Sequence, residues 1–306
     1  MAARASGPAP DTAITSTPVG TTGVPTVTFS FTSDTAGSSF RCVLDGAPLS
    51  TCASPWTSDA LADGSHTFVV AAVADGLEDT APARSVFTVD TTGPSRSVIT
   101  AALDPFQRHV RFAVAWSATD ASSGVATYAV VSRPDAGTGT PSSWNPWVEG
   151  AATTAPFLGK PGHTYCFAVT ATDGLGNVSQ PSDERCTTVP LDDRALAGAG
   201  WIRGFGPGSY RGTFLVTDTV GNELTGPRMR ARRIALVATA CSYCGTVEVR
   251  WNHEVLARVD LSSAGFHPGR IFPVANFDAA RWGRVHIVVV SDGARVEIDG
   301  LGAFAA

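Results

Sequence analysis

The 306-residue sequence contains no apolar run approaching the roughly 18 residues of a membrane-spanning helix, which excludes membrane insertion through such a helix. Helical periodicity is missing as well. No stretch of about 12 residues or more carries a 3.6-residue apolar period, so a helical bundle is excluded, and only a short Ala-rich turn around Leu191–Ala199 reads as helical. Charge is sparse at 16% Asp, Glu, Lys and Arg, against about 25% in an average chain. Lysine is nearly absent: Lys160 stands alone among 22 basic residues, a bias of base composition to which no function is attached. Residues 1–190 carry 9 basic and 16 acidic groups, and 191–306 carry 13 and 11; neither balance fits a nucleic-acid binder. The opening MAARASGPAPDTAITSTPVG lacks the apolar core of a secretory signal. The expectation is a chain separated from its signal and upstream domains, or a protein that leaves its cell by another route, as a virion component does.

Catalytic signatures are missing too. There is no GxSxG elbow, no HExxH, no GxxxxGK[ST] and no GxGxxG after a strand, and GFGPGS at 204–209 has neither the helix nor the lysine of a phosphate loop. The acidic pairs Glu78-Asp79, Asp183-Glu184 and Asp192-Asp193 fall in turns or linkers, where solvated carboxylates belong. Asp120, Asp173 and Asn177 lie in TDASSG and DGLGN, which lack the carboxylate ladder of a strong calcium loop and read as Asx turns. The chain is expected to be no enzyme and to hold no metal or cofactor.

What is present is β structure. Gly (31) and Pro (20) punctuate short runs of strand-formers. Thr26–Thr32 alternates strictly, with Val27, Phe29 and Phe31 on one face; similar runs cover His66–Val73, Val110–Trp116 and Val285–Val290. GSHTFVVAAVADGLED (64–79) returns as GHTYCFAVTATDGLGN (162–177), a spacing that fits one tandem sandwich period. The connectors VDTTGPS (89–95) and TTVPLDDRAL (187–196) place boundaries near 93 and 190. The expected architecture is all-β: a flexible segment over 1–11, then three β-sandwich modules over 12–93, 94–190 and 191–306.

Segment 12–93, through TFSF, FRCVLDGAPLSTCASPW, LADGSHTFVVAA and VDTTGP, resembles the bacterial immunoglobulin-like repeat of secreted and surface proteins; ADGLED departs from its usual Asp-x-x-Gly-Asn turn. Segment 94–190, through WSATDASSGVATYAV, SSWNPWVEG and PGHTYCFAVTATDGLGNVSQPSDERC, resembles a fibronectin type III or related Ig-like module of actinobacterial extracellular proteins. Segment 191–306, through YRGTF, RRIALVATACSYCGTVEVRWNHEVLARVDL and VEIDGLGAF, is similar to a jelly-roll-like β-sandwich found at the C-termini of such proteins. These resemblances imply a bacterial surface or secreted protein.

Six cysteines fall as three local pairs: Cys42 with Cys52, Cys166 with Cys186, and Cys241 with Cys244. Fifteen pairings are open to six cysteines, and local pairing is the simplest for modules that fold separately. Asp45-Gly46 turns a hairpin that would bring Cys42 and Cys52 together. CSYC (241–244) also admits a redox or half-zinc reading. Strand-like flanks argue against the redox reading, and only His253 and His267 are at hand as further zinc ligands, so a disulfide is favoured. Oxidised pairs in every module predict an extracellular or cell-surface location.

The candidate binding residues are aromatic and arginine. Sugar rings stack on exposed Trp and Tyr faces. Trp116 and Trp56 read as core, and Trp144 with Trp147 as a platform or, more simply, as packing. In the last module Trp201, Tyr210, Tyr243, Trp251 and Trp282 are candidates, with Trp251 beside the turn NHE and Trp282 in the loop-like DAARWGR. In RMRARRIAL, alternation places Arg228, Arg230 and Arg232 on one strand face and Arg233 opposite, a row able to grip anionic polymers or to serve as a solvated outer face. The function expected is non-catalytic: a spacer and adhesion stalk for cell adhesion, with carbohydrate or cell-wall glycan binding by the last module. The alternatives are a self-assembling virion or appendage component and an accessory fragment of a secreted hydrolase.

Overall fold

The computed structural model describes residues 8–100, 103–135 and 142–305. Of the expected flexible segment, residues 1–7 lie outside the described residues, and the first strand begins at Thr12. The architecture is all-β, with sheets that fall in pairs over 12–89, 98–189 and 191–304. By compactness the chain forms two units, Met1–Arg96 with Ala118–Thr127 and Ala171–Gln180, and Ser97–Ser117 with Tyr128–Thr170 and Pro181–Ala306.

In the first unit a sheet of Thr12–Ser16, Thr28–Ser33 and Trp56–Thr57 faces one in the order Thr21–Thr22, Ala83–Val89, Gly64–Ala74, Ser39–Leu44, Ser50–Cys52. The alternation of Val27, Phe29 and Phe31 supplies the inner face, and these residues pack with Phe68 and Phe87. Phe29 and Phe68 stack at 4.1 Å between ring centroids.

Over 98–189, Arg111–Ser117 and Thr154–Leu158 present Phe112, Trp116 and Phe157 to Trp147 and Phe167 of the sheet Asn145–Gly150, Val125–Asp135, His163–Asp173, Arg185–Val189. The last sheet pair joins Glu223–Thr225, Val285–Val289, Thr246–Trp251 and Glu254–Asp260 to a longer sheet. That sheet runs Ile202–Phe205, Thr213–Thr217, Val296–Phe304, Met229–Ala240, His267–Gly283, with Leu191–Asp192 pairing onto Val296–Phe304. Leu224, Ile234, Leu236, Ile287 and Ile298 form its centre. The Ala-rich turn is a short 3₁₀ helix, Asp193–Ala195, opened by the Asp192 carboxylate accepting from the Arg194 N–H.

The two sequence repeats become matching 11-residue strands, Gly64–Ala74 and His163–Asp173. Each is followed by a turn glycine at positive φ, Gly76 at 80° and Gly176 at 93°, a backbone that glycine adopts at no steric cost.

All three local cysteine pairs are disulfides. Cys166 and Cys186 are directly opposed across two strands, whereas Cys52 sits opposite Phe40, diagonal to Cys42. Cys241 and Cys244 close a turn between strands Met229–Ala240 and Thr246–Trp251. None of the described helices is long and apolar enough to cross a membrane.

Candidate functional site

The strand Met229–Ala240 determines the site. Met229, Ala231, Ile234, Leu236 and Ala238 point into the core. Two inward residues separated by an even number pass through one outward residue; Ala231 and Ile234 are separated by three, and the register with His267–Gly283 breaks between Ala231 and Arg233. This bulge corrects the simple alternation read from RMRARRIAL. Arg233 does not oppose Arg230 but joins it on the outer face, over the Phe304 ring at 5.1 Å, while Arg232 is exposed at the bulge. Its Nε donates to the Phe277 carbonyl at 3.4 Å. Arg228 stacks on Trp282 at 5.1 Å.

Beyond the bulge the outer face is apolar. Residues Ile234–Ala240 are buried without alternation, which marks a strand covered on both sides. The cover near Ala235 is Phe106, packed with Phe304, Cys186 and Ile271. Its segment is tied to the strand Arg185–Val189: the Gln107 N–H donates to the Thr188 carbonyl at 2.8 Å and the Thr188 N–H to the Pro105 carbonyl at 2.9 Å. The Thr187 hydroxyl donates to the Asp104 carbonyl at 2.6 Å.

Beside Phe106 opens a cleft of about 630 Å³ within the second unit, in the size range of small-ligand sites. Phe106, Ile271, Pro273 and Val274 line its apolar part; Arg108, Arg233 and Arg270 bring three cations, and Asp104 one carboxylate. Among the described residues none of these three arginines has a carboxylate within ion-pair distance, in contrast to Arg250 and Arg258 on Glu248 or Arg295 on Glu297. Those salt bridges hold the Glu248 carboxyl below its ordinary range, chiefly through the Arg250 hydrogen bond. Arg270 lies over Phe272 at 5.0 Å, and Arg108 donates to the Pro268 carbonyl at 3.2 Å. Near this wall the Asp299 carboxyl, buried and accepting from the Tyr210 N–H at 3.1 Å, is pushed up to about 7 by burial. The arrangement offers held guanidinium donors and apolar side chains in one lining, which is the chemistry of anion and amphipathic-ligand binding.

The aromatic candidates separate by burial. Trp251 is 3% exposed, packed in the sandwich core with Gly283 against its indole, so it has no free face for a sugar. Tyr210 is buried with its hydroxyl on the Pro190 carbonyl at 2.8 Å, and Trp201 is half-buried against the core. Trp282 (45% exposed) and Tyr243 (59%) remain available. Trp282 is not in a loop; it is the penultimate residue of the strand His267–Gly283. Trp116 and Trp147 pack edge-to-face at 6.0 Å, leaving Trp144 exposed with Arg133 over it at 4.7 Å. Asp120 has the geometry of an Asx turn, its Oδ1 accepting from the N–H groups of Ser122, Ser123 and Gly124. Asp173 likewise accepts from Leu175 and Asn177.

The cleft residues Phe106, Arg108 and Arg270 were missed in the sequence. The signal that points to them is the unbroken apolar run Ile234–Ala240, which demands a second cover, but no spacing rule says which distant aromatic supplies it.

No protein-family model and no curated protein sequence matches the chain. Among solved structures, fibronectin(III)-like modules of CbhA from Clostridium thermocellum are 16% identical over 58% of this chain and 94% of theirs, with a TM-score of 0.26. A bacterial ice-binding adhesin is 15% identical over 92% of this chain and 90% of its own, at 0.31. A family two carbohydrate esterase from Cellvibrio japonicus is 14% identical over 38% of this chain, at 0.30; the chain spans about a third of that protein, 32%. At such scores the likeness carries no argument, and the fold rests on the sheet pairs themselves. The chain is a multi-sheet β-sandwich protein.

Proposed function

We propose that the protein is a non-catalytic extracellular module array of bacterial surface type, in which the sandwiches expected over 12–93 and 94–190 act as spacer and the cleft against the strand Met229–Ala240 binds a saccharide. The observation that carries this reading is the cleft itself, which three arginines without carboxylate partners among the described residues line together with apolar side chains. The three disulfides support a location outside the reducing cytosol. Because Asp104, Phe106 and Arg108 line the cleft, residues 191–306 alone would present it incomplete, and the full chain is the object to test. Pull-down on insoluble polysaccharides and bacterial cell walls should give saturable binding that weakens in Arg270→Ala. Binding that is unchanged in Arg270→Ala and lost in Trp282→Ala would move the site to the Trp282 face; failure on every polymer would remove the saccharide reading.

A second reading, self-assembly, rests on the edge strand Ile202–Phe205, whose Ile202 and Phe205 are 73% and 77% exposed. Unpaired edges with apolar side chains are templates for association. Light scattering should then show ordered oligomers that Phe205→Lys disperses, whereas a monomer at all concentrations ends this reading.

A further inference from the structure

We propose that the arginine-rimmed cleft selects an acidic polysaccharide built of hexuronate units, binding their carboxylates at Arg233, Arg270 and Arg108; this rests on the saccharide-binding reading above. Three cations brought to one cleft repel one another, and the described residues give them no carboxylate partner; Arg258 and Arg295 have theirs, and although other arginines of the sheet pair are also without one, only these three converge on the cleft. An anionic occupant supplies the missing partner.

The guanidinium groups are also held. Arg233 lies over Phe304 at 5.1 Å, Arg270 over Phe272 at 5.0 Å, and Arg108 is fixed on the Pro268 carbonyl at 3.2 Å. A stacked guanidinium keeps its in-plane N–H fork free, and that fork matches a planar carboxylate with two parallel hydrogen bonds. Much of the remaining lining is carbon: Phe106, Ile271 and Pro273 offer an apolar surface to the C–H face of a pyranose ring.

Asp104 decides between kinds of polyanion. It stands in the lining beside the arginines as an acceptor with its own negative charge. A hexuronate within a chain carries one carboxylate per ring and keeps free hydroxyls, which donate to Asp104. A densely sulfated sugar has exchanged those donors for anions, and would set one against the Asp104 carboxylate.

The test uses the full chain in affinity electrophoresis and calorimetry with three probes: polygalacturonate, the same polymer with its carboxyls reduced to alcohols, and dextran sulfate. Polygalacturonate should bind, the reduced polymer roughly tenfold or more weakly, and each of Arg233→Gln and Arg270→Gln should cost polygalacturonate roughly tenfold, the scale of one charged hydrogen bond. Binding should fall as salt rises, and Asp104→Asn should raise dextran sulfate affinity. Thermal melting of each variant within a few degrees of the parent establishes that it is folded. Equal binding of the acidic and reduced polymers would overturn the uronate assignment and leave the saccharide reading standing. Tighter binding of dextran sulfate than of polygalacturonate would likewise overturn it. Polygalacturonate binding untouched by both arginine variants would remove the cleft as the site, and absence of binding to any saccharide, the insoluble panel included, would sink both readings.

Discussion

Phe106 lies directly on Gly302: a Cβ added to that glycine would stand 2.5 Å from the Phe106 ring, closer than any packed carbon approaches. Gly302 is opposite Ala235 in the neighbouring strand, so two small residues make the hollow that the phenyl ring fills. The glycine is there for close approach and not for turn geometry.

Gly302→Val should therefore lift Phe106 off the sheet. Forced overpacking of this kind costs about 1–3 kcal/mol, and because Phe106 forms part of the cleft lining, the proposed saccharide binding should weaken along with it. Thermal melting and affinity electrophoresis on the same variant read the two effects. A variant of unchanged melting temperature would show that the ring is not held there.

The Cys166–Cys186 bond closes a loop between adjacent strands, with the two residues paired in register. In the chain-entropy model a 20-residue separation contributes roughly 3 kcal/mol, a 10-residue one slightly less, and the three-residue span of Cys241–Cys244 about 2 kcal/mol or under. The double change Cys166→Ala with Cys186→Ala should lower denaturant stability by about 2–4 kcal/mol. Cys186 also packs near Phe106, so the same variant should loosen the cleft floor. The comparable change at Cys241 and Cys244 should do less; the reverse order would refute the loop-length argument.

The fold was legible in the sequence where one face of a strand is wet. Thr26–Thr32 alternates because its hydroxyl residues meet solvent while Phe29 and Phe31 meet Phe68, and GSHTFVV and GHTYCFAV repeat because each forms the same long strand. Local disulfides were legible because their hairpin or turn partners are near in sequence. The site was not. A single bulge between Ala231 and Arg233 brings Arg233 to the same outer face as Arg230, and nothing in RMRARRIAL announces it. Trp251 ends a strand beside a turn, where exposure is the natural expectation, yet Gly283 opens space for its indole against the core. Phe106 reaches the sheet from more than 120 positions away from Ala235 in the chain, and such long-range cover leaves no periodic trace.

Asp299 makes stability depend on pH in an unusual direction. Burial, with the Glu297 charge adding to it, raises its carboxyl from about 3.8 to about 7, although the Tyr210 N–H works against the shift. Between about pH 4 and pH 7 the unfolded chain has lost this proton and the folded one retains it. Folding is therefore progressively less favourable as pH rises across that window, and levels off above about 7. The full effect is on the order of a few kcal/mol. Asp299→Asn should flatten this limb, stabilising the protein at pH 8 relative to the parent and changing little at pH 4. Urea midpoints at the two pH values decide it: an equal shift at both would show that the residue acts by packing and not by titration.

His66 should impose a second pH dependence, in the first unit. Its Nδ1 faces Asp45 Oδ2 at 2.6 Å and its Nε2 faces the Ala62 carbonyl at 2.8 Å, so both ring nitrogens meet acceptors. An imidazolium donates to both, whereas either neutral tautomer leaves one nitrogen lone pair against an oxygen. The Asp45 hydrogen bond accordingly holds the imidazole above its ordinary 6.5, with burial opposing. A raised pKa means that the stabilising contribution is complete below about pH 6.5 and is lost as pH climbs through the folded value. Asp45→Asn is the discriminating change, because asparagine tolerates the positive φ of 52° at this turn and can still accept from the Thr67 N–H while removing the charge. An NMR titration should place His66 above 6.5 in the parent and lower in Asp45→Asn. A parent value at or below 6.5 would mean that the ring is held neutral, and the hairpin around Asp45 would then owe nothing to a charged pair.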